Sequence, residues 1–415
     1  MNVHTPLTRK EIPAHIDPAN VVDFDMCNDY RYRAPGGPHA ALSRLAEECG
    51  RGMKWTPHNG GHWFINDHEL LFEAVRDPGL FSSTAMTIPP LPPELEPRAI
   101  PLFSDPPEHG PYRMPLMKAF APARIQAMER DIRAFAGELI DAVAGETRFD
   151  FFDKIAEPMP VIIFMKLMGM NLDRLQEFRG WMVDMVSDSD EARLGSHRNV
   201  AAMMKPLIEA RMVERGNDLI SWLLDADIDG RAITYDELQA YCLLLFAAGL
   251  DTVANSMGFG MNYLAGDVVL QERLRAQPEL IPEAVEEFLR LYAVAMPGRT
   301  VTRDAEFGGV RVRAGERVML MFPGGNTDPK IFSNAEAFDL NRENKVHLSF
   351  NSGPHRCVGS HLARLELRVL YEEWFKRMPN VRRDPDQRVR LRGGQTLALE
   401  NLPLLWDPSE VVSAR

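Results

Sequence analysis

The chain has 415 residues, 45% hydrophobic and 26% charged, with 29 glycines and 31 prolines, an ordinary globular composition that excludes disordered, collagen-like and coiled-coil classes. Lys plus Arg (47) less Asp plus Glu (59) gives a net charge of −12, which argues against a general affinity for nucleic acid or an anionic membrane and leaves any anionic partner to a local basic patch. Four cysteines at wide, irregular spacing (Cys27, Cys49, Cys242, Cys357) form neither a disulfide framework nor a zinc pattern and suit a reducing cytoplasm.

The N-terminus has no basic-then-apolar signal pattern, and no apolar run approaches the ~20 residues that span a bilayer, so a soluble, cytoplasmic protein is expected. Residues 1 to about 35 are polar and punctuated by proline, which places them along the surface. Lys54-Trp55-Thr56 and His62-Trp63-Phe64-Ile65 flank Asn59-Gly60-Gly61 and predict a hairpin at a sheet edge. Ile88 to Pro107 carries eight prolines in twenty residues, including Pro97, and must be an irregular loop of the kind that is usually functional. From Arg113 to about Gln277 apolar residues recur at helical spacing, as in Ile125, Met128, Ile132, Phe135 and Leu139. Alternating segments follow at Val310 to Arg313 and Arg317 to Phe322, then a helix from about Val358 to Arg377 and a C-terminal strand pair. Without a linker, repeat or low-complexity tract, residues 1–415 read as one mainly α domain. Its β-rich pieces near 52–66, 299–322 and 389–406 are expected to join in one small sheet.

Phe350-Asn351-Ser352-Gly353-Pro354-His355-Arg356-Cys357-Val358-Gly359 leads into an apolar-periodic helix beginning near Ser360, which predicts Cys357 in its first turn. Backbone N–H groups and the helix dipole there favour a thiolate, and Gly353 and Gly359 let the backbone approach something large and flat. An isolated cysteine is most often a small buried hydrophobe. Phe, Gly, His and Gly at −7, −4, −2 and +2 reverse that expectation. The string resembles the haem-binding signature of the cytochrome P450 family. Glu287-Phe288-Leu289-Arg290 resembles the family's E-x-x-R pair, and Arg342 falls where the family places a bridging arginine. Alone, a Glu and an Arg three apart are a solvated helix pair. About seventy residues before the cysteine, they imply a buried network that fixes its loop.

Ala247-Ala248-Gly249-Leu250-Asp251-Thr252 lies in a helix predicted from the capping box Thr234-Tyr235-Asp236-Glu237 to about Gly266, ~30 residues and ~45 Å long. Gly249 beside hydroxyl residues marks a point where the helical ladder can open. An acid amid Leu243 to Leu250 must be paired or functional, although a surface-facing Asp251 with Thr252 as filler is the commoner arrangement in an unknown helix. The resemblance makes Asp251 and Thr252 the acid–alcohol pair of oxygen activation. His109 and Arg113, after Asp105-Pro106-Pro107-Glu108, together with Arg299 and His355, match residues that bind haem propionates. Before Arg299, Pro297-Gly298 stands where the similar subgroup has an acid and a glycine, so Pro297 departs. That subgroup is the soluble bacterial class that hydroxylates camphor, resembled also at Asn59 to Trp63, Phe81-Ser82-Ser83 and Leu402 to Trp406.

The resemblance implies the P450 fold, a triangular helical prism around haem b with Cys357 on the iron and a backbone hydrogen bond to its sulfur near Gly359. It further implies monooxygenation by O2, with two electrons from a [2Fe–2S] ferredoxin and an NAD(P)H-dependent ferredoxin reductase, in a monomer. Arg76, Arg113, Lys345, Arg356 and Arg364 are candidates for the docking patch. The implied substrate pocket comprises Thr87, Leu244, Ala247, Ala248, Val294, Gln395 and Thr396, a mainly apolar set. Pro97 stands near where camphor hydroxylases keep a tyrosine, and no tyrosine occurs between Tyr32 and Tyr112, which points to a terpenoid or norisoprenoid such as an ionone rather than camphor. The rival readings are a peroxide-driven or nitric-oxide-reducing haem-thiolate enzyme and a haem sensor. The acid–alcohol pair weighs against the first.

Overall fold

The computed structural model describes residues 11–90, 99–185 and 190–406. Pro97 and its neighbours from 91 to 98 therefore lie outside the described residues. The predicted hairpin forms as Met53–Thr56 and His62–Ile65, turned by Asn59, Gly60 and Gly61 at φ 50°, 84° and 72°. It is one edge of a five-stranded sheet that continues through Arg317–Leu320 and Gly298–Val301 to Phe81–Ser82. Arg317–Leu320 runs parallel to His62–Ile65, placing Val318 beside Trp63, and antiparallel to Gly298–Val301.

The C-terminal β pieces do not join this sheet. Leu391–Arg392 pairs with Ala398–Leu399 as a separate hairpin, and Pro403–Leu405 sits between Arg382–Arg383 and Arg148–Asp150. The hairpin is local, as the predicted C-terminal strand pair requires, whereas local alternation cannot specify the pairing of Pro403–Leu405, whose neighbours include a strand from inside the helical region.

The central helix opens on the expected capping box, with the Thr234 hydroxyl accepting from the Glu237 N–H and the Glu237 carboxylate accepting from the Thr234 N–H. It is two helices, Tyr235–Gly249 and Asp251–Leu264, meeting at Leu250 (φ −99°, ψ −61°). Taken together, Tyr235–Leu264 is long and apolar enough to cross a membrane (mean hydropathy 1.4 over its best window), a length of apolar chain the sequence reading did not anticipate. The pair runs through the core, with Tyr241, Phe246, Ala254, Met257 and Met261 buried. Helix Ser360–Arg377 locks onto it where the Tyr371 hydroxyl donates to the Met257 carbonyl at 3.0 Å. A Cβ on Gly260 would fall 2.1 Å from that hydroxyl, so only glycine permits the approach. The opposite side of Ser360–Arg377 packs on Glu129–Val143, where Arg133 donates to Glu129, Glu372 and Glu373.

Candidate active site

Helix Ser360–Arg377 begins three residues after Cys357, so the cysteine lies in the loop before the helix, not in its first turn as the apolar periodicity predicted. The loop closes on itself through the Cys357 N–H, which donates to the Phe350 carbonyl at 2.8 Å. The Gly359 N–H donates to the sulfur. Burial pushes the Cys357 thiol up, while that N–H and the charges of Arg113, Arg364 and Arg356 pull it down. The residue is nevertheless accessible to solvent. Gly353 serves the chain's own packing: at φ 66° a Cβ there would fall 2.7 Å from the Val75 carbonyl. On Gly359 a Cβ would meet only the Cys357 sulfur, at 3.9 Å.

Glu287, Arg290 and Arg342 form the buried network expected of them. Glu287 accepts from Arg290 at 2.7 and 2.9 Å and from the Arg342 Nε at 2.9 and 3.1 Å. Arg290 also donates to the carbonyls of Asn326 and Ala335. Asn326 in turn holds Leu348 N–H and Ser349 Oγ, immediately before Phe350, so the ion network reaches the cysteine loop through one amide side chain.

Beside the thiol lies a pool of basic side chains. The rings of His109 and His355 are 4.4 Å apart, and the Nε2 atom of each is buried without a hydrogen-bond partner. Burial lowers His355 to about 3, aided by the charges of Arg299, His109 and Arg113. Burial also lowers Arg299 to about 10, with Asp105 the carboxylate that opposes the shift. Arg299 spends part of its guanidinium on the Gly298 carbonyl and the Met86 sulfur. Arg113, lowered by burial and by Arg356, donates to the Arg356 carbonyl.

At the break in the central helix, Ala247, Ala248 and Gly249 are accessible although Leu244, Leu245, Phe246 and Leu250 around them are buried. A Cβ on Gly249 would meet nothing within 4 Å. The Thr252 hydroxyl donates to the Ala248 carbonyl at 3.0 Å, taking an acceptor that an unbroken ladder would use. Asp251 is buried enough to push its carboxyl up, opposed by Arg392 and by the Asn255 amide, which donates to it at 2.9 Å. The Asn255 oxygen accepts from the Leu399 N–H, so the C-terminal hairpin is fastened to the acid's own partner. Among the implied pocket residues, Leu244 and Val294 are buried and Thr396 is bridged to Ala295. The Gln395 amide binds Met86 and Ile88 backbone and is not presented freely.

The family model for cytochrome P450 matches residues 182–378. A probable cytochrome P450 127A1 of Sinorhizobium fredii is 34% identical over 403 residues, covering 95% of this chain and 97% of that one. The chain belongs to the cytochrome P450 family. Linalool 8-monooxygenase of Pseudomonas putida is 29% identical, covering 89% of this chain and 96% of its own. The crystal structure of CYP101J2 matches with a TM-score of 0.88 at 31% identity, covering 96% of this chain and all of that one, and agrees with the bacterial subgroup to which the sequence pointed. This P450 is a monooxygenase and its prosthetic group is haem b. The residues present fit that group: a thiol bonded by a backbone N–H, two orphaned imidazole nitrogens and two arginines short of carboxylates suit an iron ligand and two propionates.

Two features of this P450 escape sequence reasoning. Asn255 and Arg392 hold Asp251, and Asn255 one helical turn after the acid was the available signal. The basic patch is partly neutralised, since Lys345 pairs with Glu283 and Arg364 pairs with Glu286 while covering the Phe350 ring at 4.5 Å. Arg76 lies over Phe72, and Arg356 is exposed.

Proposed function

We propose that this P450 hydroxylates a small hydrophobic cyclic compound, a terpenoid or norisoprenoid such as an ionone rather than camphor. The accessible run Ala247, Ala248 and Gly249 beside the Thr252 hydroxyl carries this reading, because small side chains there leave room for a compact apolar molecule next to a proton-handling group. A relative named for linalool supports the terpenoid class. No tyrosine stands between Tyr32 and Tyr112 to anchor a ketone, and one lost hydrogen bond costs about 0.5–1.5 kcal/mol.

In this reading Cys357 would hold the haem iron, with the Gly359 N–H steadying its sulfur, and His109, Arg113, Arg299 and His355 would grip the propionates. Bound there, haem would supply, through the thiolate's electron donation, the chemistry that favours O–O cleavage. Asp251 carries a proton inward, poised by a burial that raises its carboxyl, and the Thr252 hydroxyl passes it on by leaving the Ala248 carbonyl. One oxygen atom would enter the substrate and the other leave as water, formed with two protons relayed along this path and two electrons delivered by a [2Fe–2S] ferredoxin and its NAD(P)H-dependent reductase in the cytoplasm. Titrating β-ionone and camphor while following the haem spin state tests the substrate. A nearly complete shift with β-ionone and a weak one with camphor is expected, and tight, fully shifting camphor with efficient hydroxylation would overturn the reading.

A further inference from the structure

Gln395 is expected as a wall of the substrate pocket, and each end of its amide holds the backbone of one segment. Its Nε2 donates to the Met86 carbonyl at 2.9 Å, and its Oε1 accepts from the Ile88 N–H at 3.0 Å. A side-chain amide that meets a carbonyl at one residue and an N–H two residues on stands in for a neighbouring strand. It does so where one is lacking, since the strand Phe81–Ser82 has already ended. The residue between the two bonds is Thr87.

The base of this strut is fixed. The Gln395 carbonyl accepts from the Met296 N–H at 2.7 Å, Leu397 N–H donates to the Val294 carbonyl at 2.8 Å, and Gly394 N–H donates to the Met26 carbonyl at 2.8 Å. The segment it grips is held from the other side, where the Ala85 carbonyl accepts from Thr300 Oγ1 and from Arg317, each at 2.7 Å. Gly298 leaves the space: a Cβ there would fall 2.1 Å from the Met86 carbonyl. Gly298, next to the departing Pro297, is thus the place where this segment comes close.

We infer that Gln395 is a specificity-determining positioning residue, whose amide fastens the backbone on both sides of Thr87 to the C-terminal turn and so fixes where Thr87 meets the substrate. The inference rests on the reading that Thr87, Val294 and Thr396 border the substrate, but not on which substrate that is. Gln395 has one donor and one acceptor committed to this segment, and the inference is that it selects by shape, through the place at which it holds Thr87.

The test uses the haem-loaded protein with imidazole, too small to reach a pocket wall, and 4-phenylimidazole, whose ring needs that wall in place. Gln395→Met keeps the volume and removes both bonds. We expect 4-phenylimidazole to bind about fivefold more weakly, the loss set by one hydrogen bond's worth of order, with imidazole affinity unchanged. Hydrogen exchange at the Ile88 amide should quicken about tenfold. Gln395→Glu keeps the acceptor for Ile88 and loses the donor to Met86, and should leave the Ile88 amide protected. Unchanged exchange in Gln395→Met would overturn the clamp. Faster exchange with an unchanged ratio of the two affinities would overturn its role in selection. Neither probe is a substrate, so failure of β-ionone to bind would count against the terpenoid reading alone.

Discussion

At the residue scale, each candidate group has an environment that dictates what its removal does. Cys357→His replaces a thiolate steadied by one N–H with a bulky neutral ring, and the reduced carbon-monoxide complex should lose its thiolate-type absorption along with monooxygenation. A variant that keeps both would exclude Cys357 as the ligand. The Thr252 hydroxyl is the side-chain donor on the Ala248 carbonyl. Thr252→Ala is expected to consume NAD(P)H at a comparable rate while most of it appears as hydrogen peroxide, and an unchanged ratio of product to NAD(P)H oxidised would sink this role. Asp251 differs, because its carboxyl is raised by burial and held by Asn255. Asp251→Asn should slow turnover about 10²-fold, toward the low end for a positioned proton-transfer group, without diverting electrons to peroxide. Stopped-flow turnover with parallel peroxide assay separates the two behaviours.

At the scale of elements, the cysteine loop is held by a chain of contacts that starts in helix Ile281–Leu291. Glu287→Gln would leave Arg290 and Arg342 buried and short of their counter-charge, a loss of about 3–5 kcal/mol. Lower haem occupancy and a Tm depressed by several degrees are expected; wild-type values for both would show that Asn326 and Ser349 hold the loop unaided. Among the five candidates for the docking patch, the structure decides which to vary. Lys345 and Arg364 already face Glu283 and Glu286, so reversing Arg364 would set two carboxylates together and damage the loop. Arg76→Glu and Arg356→Glu remove exposed charge, and should slow ferredoxin-driven turnover several-fold at low ionic strength while converging with wild type at high salt. Equal rates at low salt would remove both from the docking face. What was legible here divides by range. The capping box at Thr234 is a short-range pattern that names its own geometry, while the E-x-x-R pair and the cysteine loop are legible only through the family resemblance. The hold of Arg392 and Leu399 on the Asp251 turn, the grip of Gln395 on Met86 and Ile88, and the strand beside Pro403–Leu405 depend on chain brought from far along the sequence, for which periodicity has no signal.

For the whole molecule, His39, His62 and Glu366 are buried titratable groups outside the reaction that contribute to how stability responds to pH. His39 and His62 are lowered by burial to about 4, and Glu366, on helix Ser360–Arg377, is raised by burial to about 8 with its Oε2 unpartnered. A histidine lowered in the fold binds its proton first in the unfolded chain, so stability rises with pH from about 4 to the unfolded value of 6.5. A glutamate raised in the fold keeps a proton that the unfolded chain gives up above 4.5, so stability falls as pH climbs from there to about 8. Two rising contributions outweigh one falling below 6.5, and the falling one stands alone above it, which places the maximum from these groups near pH 6.5. Glu366→Gln keeps the shape of the protonated acid and removes the cost of holding it neutral, up to roughly 4 kcal/mol at pH 8. Thermal melts of the haem-loaded wild type and variant should therefore coincide near pH 5 and separate toward pH 8, with the variant higher and its decline above pH 6.5 abolished. A gain of equal size at both pH values would mean that Glu366 is ionised in the fold, held by a partner, and that another group sets the alkaline limb.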